Sequence, residues 1–225
     1  EAKSSHREPV YPIFNSRILE LTEPTYKQAS VSLLSRAAGH ARKTVNITFR
    51  GRNDIVWDTT AKVAAFITYN DNPLRDFTRK TLQLFSEDEN PFPTENFAKA
   101  VRLFDALGAL GVAYIRDPNT PFDKIYGNTS TIDKVQFPRE TLRLKSGDCD
   151  DLTAVYTAML ENVGVHTRLI TVPGHIFAAF ESGGDESQLA GQIQNPDLMM
   201  PDNGRVWIPV EITMVGKSFT EAWRE

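Results

Sequence analysis

The apolar positions of residues 149–172 predict a helix followed by a strand. Leu152, Val155, Met159 and Leu160 follow the three- and four-residue spacing of one helix face, and Gly164 is a typical helix stop. In residues 165–172, VHTRLITV, apolar and polar positions then alternate, and β-branched side chains are frequent, as in strands. We therefore expect a helix that begins beside Cys149 and leads directly into a strand.

Two more strands are predicted downstream of this helix. Pro173 and Gly174 are a turn signal, so a second strand should begin at His175. Residues 181–204 are rich in Gly, Asp, Asn and Pro and predict a loop, and RVWIPVEIT, residues 205–213, predicts the third strand. A helix packed on antiparallel strands makes the expected fold class α+β.

The first half of the chain predicts a hairpin and then helices. Within residues 13–49, apolar and polar side chains alternate on both sides of Gly39, which marks the hairpin turn. Helical spacing and capping residues favour helices over about residues 58–66, 72–85 and 94–110, the last of them ended by Gly108 and Gly111. We accordingly divide the chain into N-terminal β strands, residues 1–50, and a core, residues 51–225.

The stretch between the third helix and Cys149 has few apolar repeats. A segment of this length, from residue 112 to about 136, usually has a function or wraps a surface, and we expect it to form one wall of a substrate cleft. A short helical turn is predicted over residues 138–144, and a last helix after Ser218 or Thr220.

Composition excludes several function classes. The chain has 225 residues, of which 40% are hydrophobic, and 25 Lys and Arg against 29 Asp and Glu leave a net charge of −4. With no basic surplus to neutralise phosphates, nucleic acid is not an expected partner, and with no long apolar run, membrane insertion is not expected either. The chain begins at Glu1 rather than Met, so we expect a piece of a longer protein.

Cys149 is the single cysteine, so an internal disulfide and a multi-cysteine zinc site are excluded. At a helix N-terminus, unpaired N–H groups and the helix dipole stabilise a thiolate and lower the thiol pKa. The charges of Asp148, Asp150 and Asp151 oppose that ionisation. The sequence leaves open whether the pKa of the Cys149 thiol is lowered or raised.

Two further residues could complete a site for acyl transfer. His175 follows Cys149 by 26 residues (175 − 149) and Glu211 follows His175 by 36 (211 − 175). A strand that begins at His175 can bring the imidazole back to the helix N-terminus, and a neighbouring antiparallel strand can place a carboxylate behind it. Cysteine as nucleophile, histidine as base and a carboxylate that orients the base are the groups that acyl transfer needs.

Three segments, VQFPRETLRLKSGDCDDL, PGHIFAAF and WIPVEIT, together resemble the transglutaminase-like superfamily over about residues 110–225. The resemblance implies a papain-related core, with Cys149 as nucleophile, His175 as base and Glu211 at a position where many members have Asp. It is most similar to a bacterial group in multidomain proteins. That group implies a preceding β-rich domain, to which residues 1–50 would belong, and an extracytoplasmic location.

The expected function is thiol-dependent acyl transfer on an amide or peptide bond, with water or an amine as acceptor. The oxyanion would be held by the Cys149 backbone N–H and by the side-chain amide of Gln136, with Asp148 and Asp150 at the substrate-binding site. The partner would be a peptide or protein substrate, and no cofactor or metal is expected.

Several alternatives stay open. Cys149 could be an inert buried side chain, Gln136 an ordinary loop hydrogen-bonder, and Asp202 could replace Glu211 as the acid. Cys149, His175 and a carboxylate could instead bind Zn²⁺. The whole chain could be a non-catalytic peptide-binding or structural module of a larger protein.

Overall fold

The computed structural model describes residues 7 and 9 and the ranges 11–35, 39–85, 91–117, 131–193 and 195–225. By its internal contacts the chain forms two compact units, Glu1–Asp54 and Ile55–Glu225. Within the described ranges, no helix combines the length and the apolar character needed to cross a membrane.

The elements of the described residues alternate between helices and short strands. The strands are β1 (Thr25–Ser35), β2 (Gly39–Phe49), β3 (Asp54–Ile55), β4 (Ala113–Tyr114), β5 (Asp133–Lys134), β6 (Ser146–Gly147), β7 (Thr167–Val172), β8 (His175–Glu181), β9 (Met200–Asp202) and β10 (Arg205–Val210). The α-helices are α1 (Asn72–Gln83), α2 (Glu95–Leu110), α3 (Pro138–Leu144), α4 (Cys149–Asn162), α5 (Glu186–Ala190) and α6 (Phe219–Arg224). Short 3-10 helices are Ser16–Glu20, Thr60–Phe66, Pro196–Leu198 and Ile212–Met214.

The first unit contains the predicted hairpin. β1 and β2 pair in one continuous antiparallel register from Thr25 opposite Phe49 to Ser35 opposite Gly39. Gly39 has a φ of +73°, a conformation that glycine adopts without steric cost. None of the described side chains of the two strands is buried, so this hairpin has no core of its own.

The second unit is built around α4 and a four-stranded antiparallel sheet in the order β7-β8-β10-β9. Every residue of α4 from Cys149 to Leu160 is buried, because the helix lies between the sheet and the helices α1 and α2. Leu152, Val155 and Met159 enter the main core from α4, and Phe180 and Ile208 enter it from the sheet. The predicted α+β class is confirmed.

Most predicted elements of this unit are present. α4 begins at Cys149 as predicted and ends just before Gly164, whose φ is +77°. α1 and α3 also occupy their predicted positions, with a proline in the first turn of each. The last helix follows Ser218, whose side chain accepts a hydrogen bond from the Glu221 N–H.

The short helix predicted to end at Phe66 is the 3-10 helix Thr60–Phe66. As predicted, α2 ends just before Gly111, which adopts φ +88°. Two predictions of local structure need correction. The predicted loop 181–204 contains α5, a 3-10 turn and β9. The third strand of the sheet ends at Val210, because Glu211 caps the turn Ile212–Met214 instead of extending the strand.

Candidate active site

The sheet brings His175 and Glu211 together. His175 is the first residue of β8, directly after the turn at Gly174, and Glu211 directly follows the last residue of β10. β8 and β10 are antiparallel neighbours with Val210 opposite Ala178, so the start of one strand meets the end of the other. The Nε2 atom of His175 lies 2.6 Å from Oε2 of Glu211, a charge-assisted hydrogen-bond distance.

The two carboxylate oxygens of Glu211 have different partners. Oε2 faces His175, whereas Oε1 accepts hydrogen bonds from the backbone N–H of Thr213 at 3.0 Å and from its hydroxyl at 2.5 Å. Burial by itself raises the pKa of Glu211, but the hydrogen bonds from His175 and Thr213 outweigh burial and leave the pKa below its ordinary value. Glu211 is therefore held as a carboxylate behind the imidazole.

This pair lies at a partly open surface. The side chains of His175 and Glu211 are 30% and 17% exposed, and the ring of Phe177 stacks near the imidazole with a centroid distance of 5.9 Å. The imidazole is thus partly accessible to solvent.

Cys149 occupies a deeper position at the start of α4. Only 5% of the residue is exposed, and it packs in a small apolar cluster that includes Trp57, Phe66, Val135 and Ile176. The backbone of Ile176 hydrogen-bonds to the thiol, so the sulfur lies beside the residue that follows His175. Helix α4 and strand β8 thus bring the sulfur and the imidazole-bearing end of β8 into the same neighbourhood.

The thiol of Cys149 is held in its neutral, protonated form. Burial, followed by the charge of Asp148, raises its pKa to about 12, although backbone hydrogen bonds from Ile176, Asp150 and Cys149 itself act in the opposite direction. The stabilisation that a helix N-terminus gives to a thiolate is therefore outweighed here. At neutral pH the resting site holds a neutral thiol.

Three buried acidic residues flank Cys149 in the sequence at the start of α4. Asp148 is the N-cap of α4 and is 7% exposed, Asp150 is fully buried and Asp151 is 5% exposed. Burial, together with a hydrogen bond and charge from Asp148, raises the pKa of Asp150, and burial with the charge of Asp148 raises the pKa of Asp151 to about 7. Asp148 and Asp150 were expected at the substrate-binding site, but the structure places them in the interior.

Gln136 also lies close to the helix N-terminus, but its amide is engaged. Its side-chain Nε2 donates to Oδ2 of Asp151 at 2.5 Å and to the carbonyl of Ser146 at 3.3 Å, and its backbone N–H donates to Oδ1 of Asp151 at 2.7 Å. Both amide hydrogens are occupied, so the side-chain amide of Gln136 ties its segment to Asp151 in the first turn of α4.

Glycine is required beside this cluster. A Cβ atom added at Gly147 would lie 2.5 Å from the Cβ of Asp151, which is far inside van der Waals contact. The Gly-Asp-Cys sequence thus allows β6 to approach the first turn of α4 closely.

The side-chain oxygens of Asp148, Asp150 and Asp151 lie within 4.8 Å of one another, so this group could hold a metal ion. Carboxylate oxygens suit hard cations such as Ca²⁺ and Mg²⁺ rather than Zn²⁺. In the part of the chain that the structure describes, the alternative set of Cys149, His175 and a carboxylate does not form such a group.

The remaining sequence candidates lie elsewhere. Asp202 pairs with Arg168 at 2.6 Å, not with His175. Most of the predicted cleft wall, residues 118–130, lies outside the described residues. Sequence reasoning missed Thr213 and Asp133, which accepts a hydrogen bond from the indole of Trp57 at 2.8 Å. A threonine two residues after a carboxylate at a strand end was the available signal for Thr213.

Comparisons with known proteins assign no family. No protein-family model matches the sequence, and no curated protein matches it. A crystal structure described as a "putative protease from Parabacteroides distasonis" is similar to the chain, with 12% sequence identity and a TM-score of 0.32. The match covers 71% of this chain and 36% of that one, so this chain spans about a third of its length.

Proposed function

We propose that this protein is a thiol-dependent acyl-transfer enzyme that acts on amide or peptide bonds, with Cys149 as nucleophile, His175 as base and Glu211 as the group that orients the base. The observation that carries this proposal is the 2.6 Å contact between His175 Nε2 and Glu211 Oε2, beside a helix that begins at Cys149. We also propose that the helix and sheet around these residues are a transglutaminase-like core.

The chemistry follows from which imidazole nitrogen is occupied. With Nε2 bonded to Glu211, that nitrogen carries a proton and Nδ1 is the acceptor. Nδ1 takes the proton of the Cys149 thiol while the sulfur attacks the carbonyl carbon, and Glu211 stabilises the imidazolium that forms. The C–N bond then breaks, the leaving amine takes the proton from Nδ1, and a thioester remains on Cys149.

The thioester is resolved by the reverse sequence. Water, or an amine substrate, gives a proton to Nδ1 and attacks the thioester carbonyl, and the thiolate leaves and is reprotonated. Hydrolysis gives a peptidase or amidase, and transfer to an amine gives a cross-linking enzyme. We favour hydrolysis, because water is always available as acceptor.

The high pKa of Cys149 determines how this base must act. Because burial and Asp148 keep the thiol neutral, a resting thiolate–imidazolium pair is not expected. His175 would instead remove the proton as the sulfur attacks.

The test exploits the single cysteine of the chain. The purified protein is incubated with a peptide mixture, the products are identified by mass spectrometry, and acid quenching traps any thioester. We expect cleaved or transamidated peptides from the wild type and an acyl adduct on the peptide that contains Cys149. Cys149→Ala and His175→Ala should give neither, and equal products from Cys149→Ala would overturn the proposal.

A non-catalytic peptide-binding module is the second candidate, and the burial of the sulfur favours it. This candidate predicts peptides that bind the wild type and Cys149→Ala with equal affinity, with no adduct and no product. The same peptide mixture, analysed for retention as well as for turnover, separates the two functions.

A further inference from the structure

The backbone of Glu211 is held by hydrogen bonds on both sides. Glu211 caps the 3-10 turn Ile212–Met214, and the N–H of Met214 donates to the Glu211 carbonyl at 3.1 Å. On the other side, the N–H of Glu211 donates to the carbonyl of Ala222 in α6 at 2.8 Å. These backbone hydrogen bonds hold Glu211 in place independently of the contacts of its side chain.

Thr213 then fixes the direction of the carboxylate. Its N–H and hydroxyl both donate to Oε1, at 3.0 and 2.5 Å, so that Oε2 is the oxygen directed at His175. A threonine side chain is suited to this task, because branching at Cβ restricts χ1 and the hydroxyl can donate while the methyl group packs. A carboxylate with two donors on one oxygen cannot rotate freely away from the imidazole.

We propose that Thr213 is a positioning residue of the site, which sets the orientation of Glu211 and through it that of His175. This inference rests on the proposed function, in which Glu211 holds the base. The hydrogen bonds of Thr213 described above go to Glu211, and in this proposal the residue does not contact the substrate.

The proposal assigns different effects to the hydroxyl and to the rest of the side chain. Thr213→Val keeps the shape and the backbone donor but removes the hydroxyl, whereas Thr213→Ser keeps the hydroxyl. Thr213 is only partly buried, so either variant is compatible with the fold. Thr220, an exposed threonine in α6, supplies the control variant Thr220→Val.

The primary readout is the pH profile of turnover. A hydrogen bond to a charged group has a strength that corresponds to roughly a 10- to 100-fold change in an equilibrium or a rate. We expect kcat of Thr213→Val to fall by about that factor with KM nearly unchanged. The acidic limb of its pH profile should move to higher pH, because Glu211 loses a donor that stabilises its charge. In Thr213→Ser both kcat and the position of the acidic limb should stay close to those of the wild type, and Thr220→Val should resemble the wild type.

A second readout does not depend on activity. Carbon-13 NMR titration of the glutamate carboxyl carbons follows Glu211 directly, and in Thr213→Val its midpoint should rise by about one pH unit. If midpoint and kcat of Thr213→Val both equal those of the wild type, the proposal is overturned. If the midpoint rises while the wild type turns over no peptide, the anchoring stands and the proposed function fails.

Discussion

Cys149 and the His175–Glu211 pair are neighbours with opposite surroundings. The pair is partly exposed and joined by a hydrogen bond, with Glu211 held ionised, whereas the thiol is buried, flanked by acids in the sequence and held in its neutral form. The imidazole thus has a fixed carboxylate partner, whereas the thiol resists losing its proton. In the proposed mechanism, the sulfur would therefore react without a resting thiolate.

The largest expected effect comes from removing the charge behind the imidazole. In the proposed mechanism, Glu211→Gln should reduce kcat by about 10²- to 10⁴-fold, because the imidazolium loses its counter-charge and the ring loses its fixed tautomer. Steady-state kinetics with a peptide found by the product screen measures this. Glu186→Gln, an exposed acid in the first turn of α5, is the matched control and should be unaffected. Equal rates for both variants would remove Glu211 from the mechanism.

The acidic interior around Cys149 predicts an unusual pH dependence of stability. The folded pKa of Asp151 is raised from 3.8 to about 7, so the folded state binds more protons than the unfolded state between these values, and stability falls as pH rises through that window. The fall for this group is roughly 1–4 kcal/mol between pH 4 and pH 7. Urea denaturation at a series of pH values measures it.

A matched variant separates the cluster from other titrating groups. Asp150→Asn resembles the protonated acid that burial favours, so it should be more stable than the wild type at high pH and should flatten the slope. A wild type that grows more stable from pH 5 to pH 7 would contradict the buried acidic cluster.

Close packing beside the thiol predicts a smaller effect on stability. Gly147→Ala should lower the free energy of unfolding by roughly 1–3 kcal/mol, because its Cβ would overlap the Cβ of Asp151. Gly191→Ala is the control: the nearest atom to its added Cβ is 3.8 Å away, and its φ of −71° suits alanine. Equal denaturation midpoints would show that β6 and α4 can separate without cost.

The smallest expected effect concerns the thiol itself. The wild type should react slowly with iodoacetamide, and Asp148→Asn should react faster at the same pH, by up to about tenfold for each unit by which the thiol pKa falls. Asparagine is also a good N-cap, so α4 is retained. Asp185→Asn, at the N-cap of α5, is the control, and an unchanged rate in Asp148→Asn would mean that burial alone controls the thiol.

Much of the second unit could be predicted from local signals. The spacing of Leu152, Val155 and Met159 predicted α4, and Pro173-Gly174 predicted where β8 begins, because helix periodicity and turn residues act over a few positions. The end of β10 was predicted wrongly. The pattern of a strand does not reveal that the Glu211 carboxylate will accept a hydrogen bond from the Thr213 N–H and so end the strand.

The sequence by itself determined the order of the elements, the helix that begins at Cys149 and the residues that could supply acyl-transfer chemistry. Only the tertiary structure decided which acid meets His175, since Glu211 lies 2.6 Å from the imidazole whereas Asp202 pairs with Arg168. It also decided the state of the thiol. Helix position is a local property, but the burial that raises the pKa of Cys149 comes from residues such as Trp57, Val135 and Ile176, which are distant along the chain and adjacent only after folding.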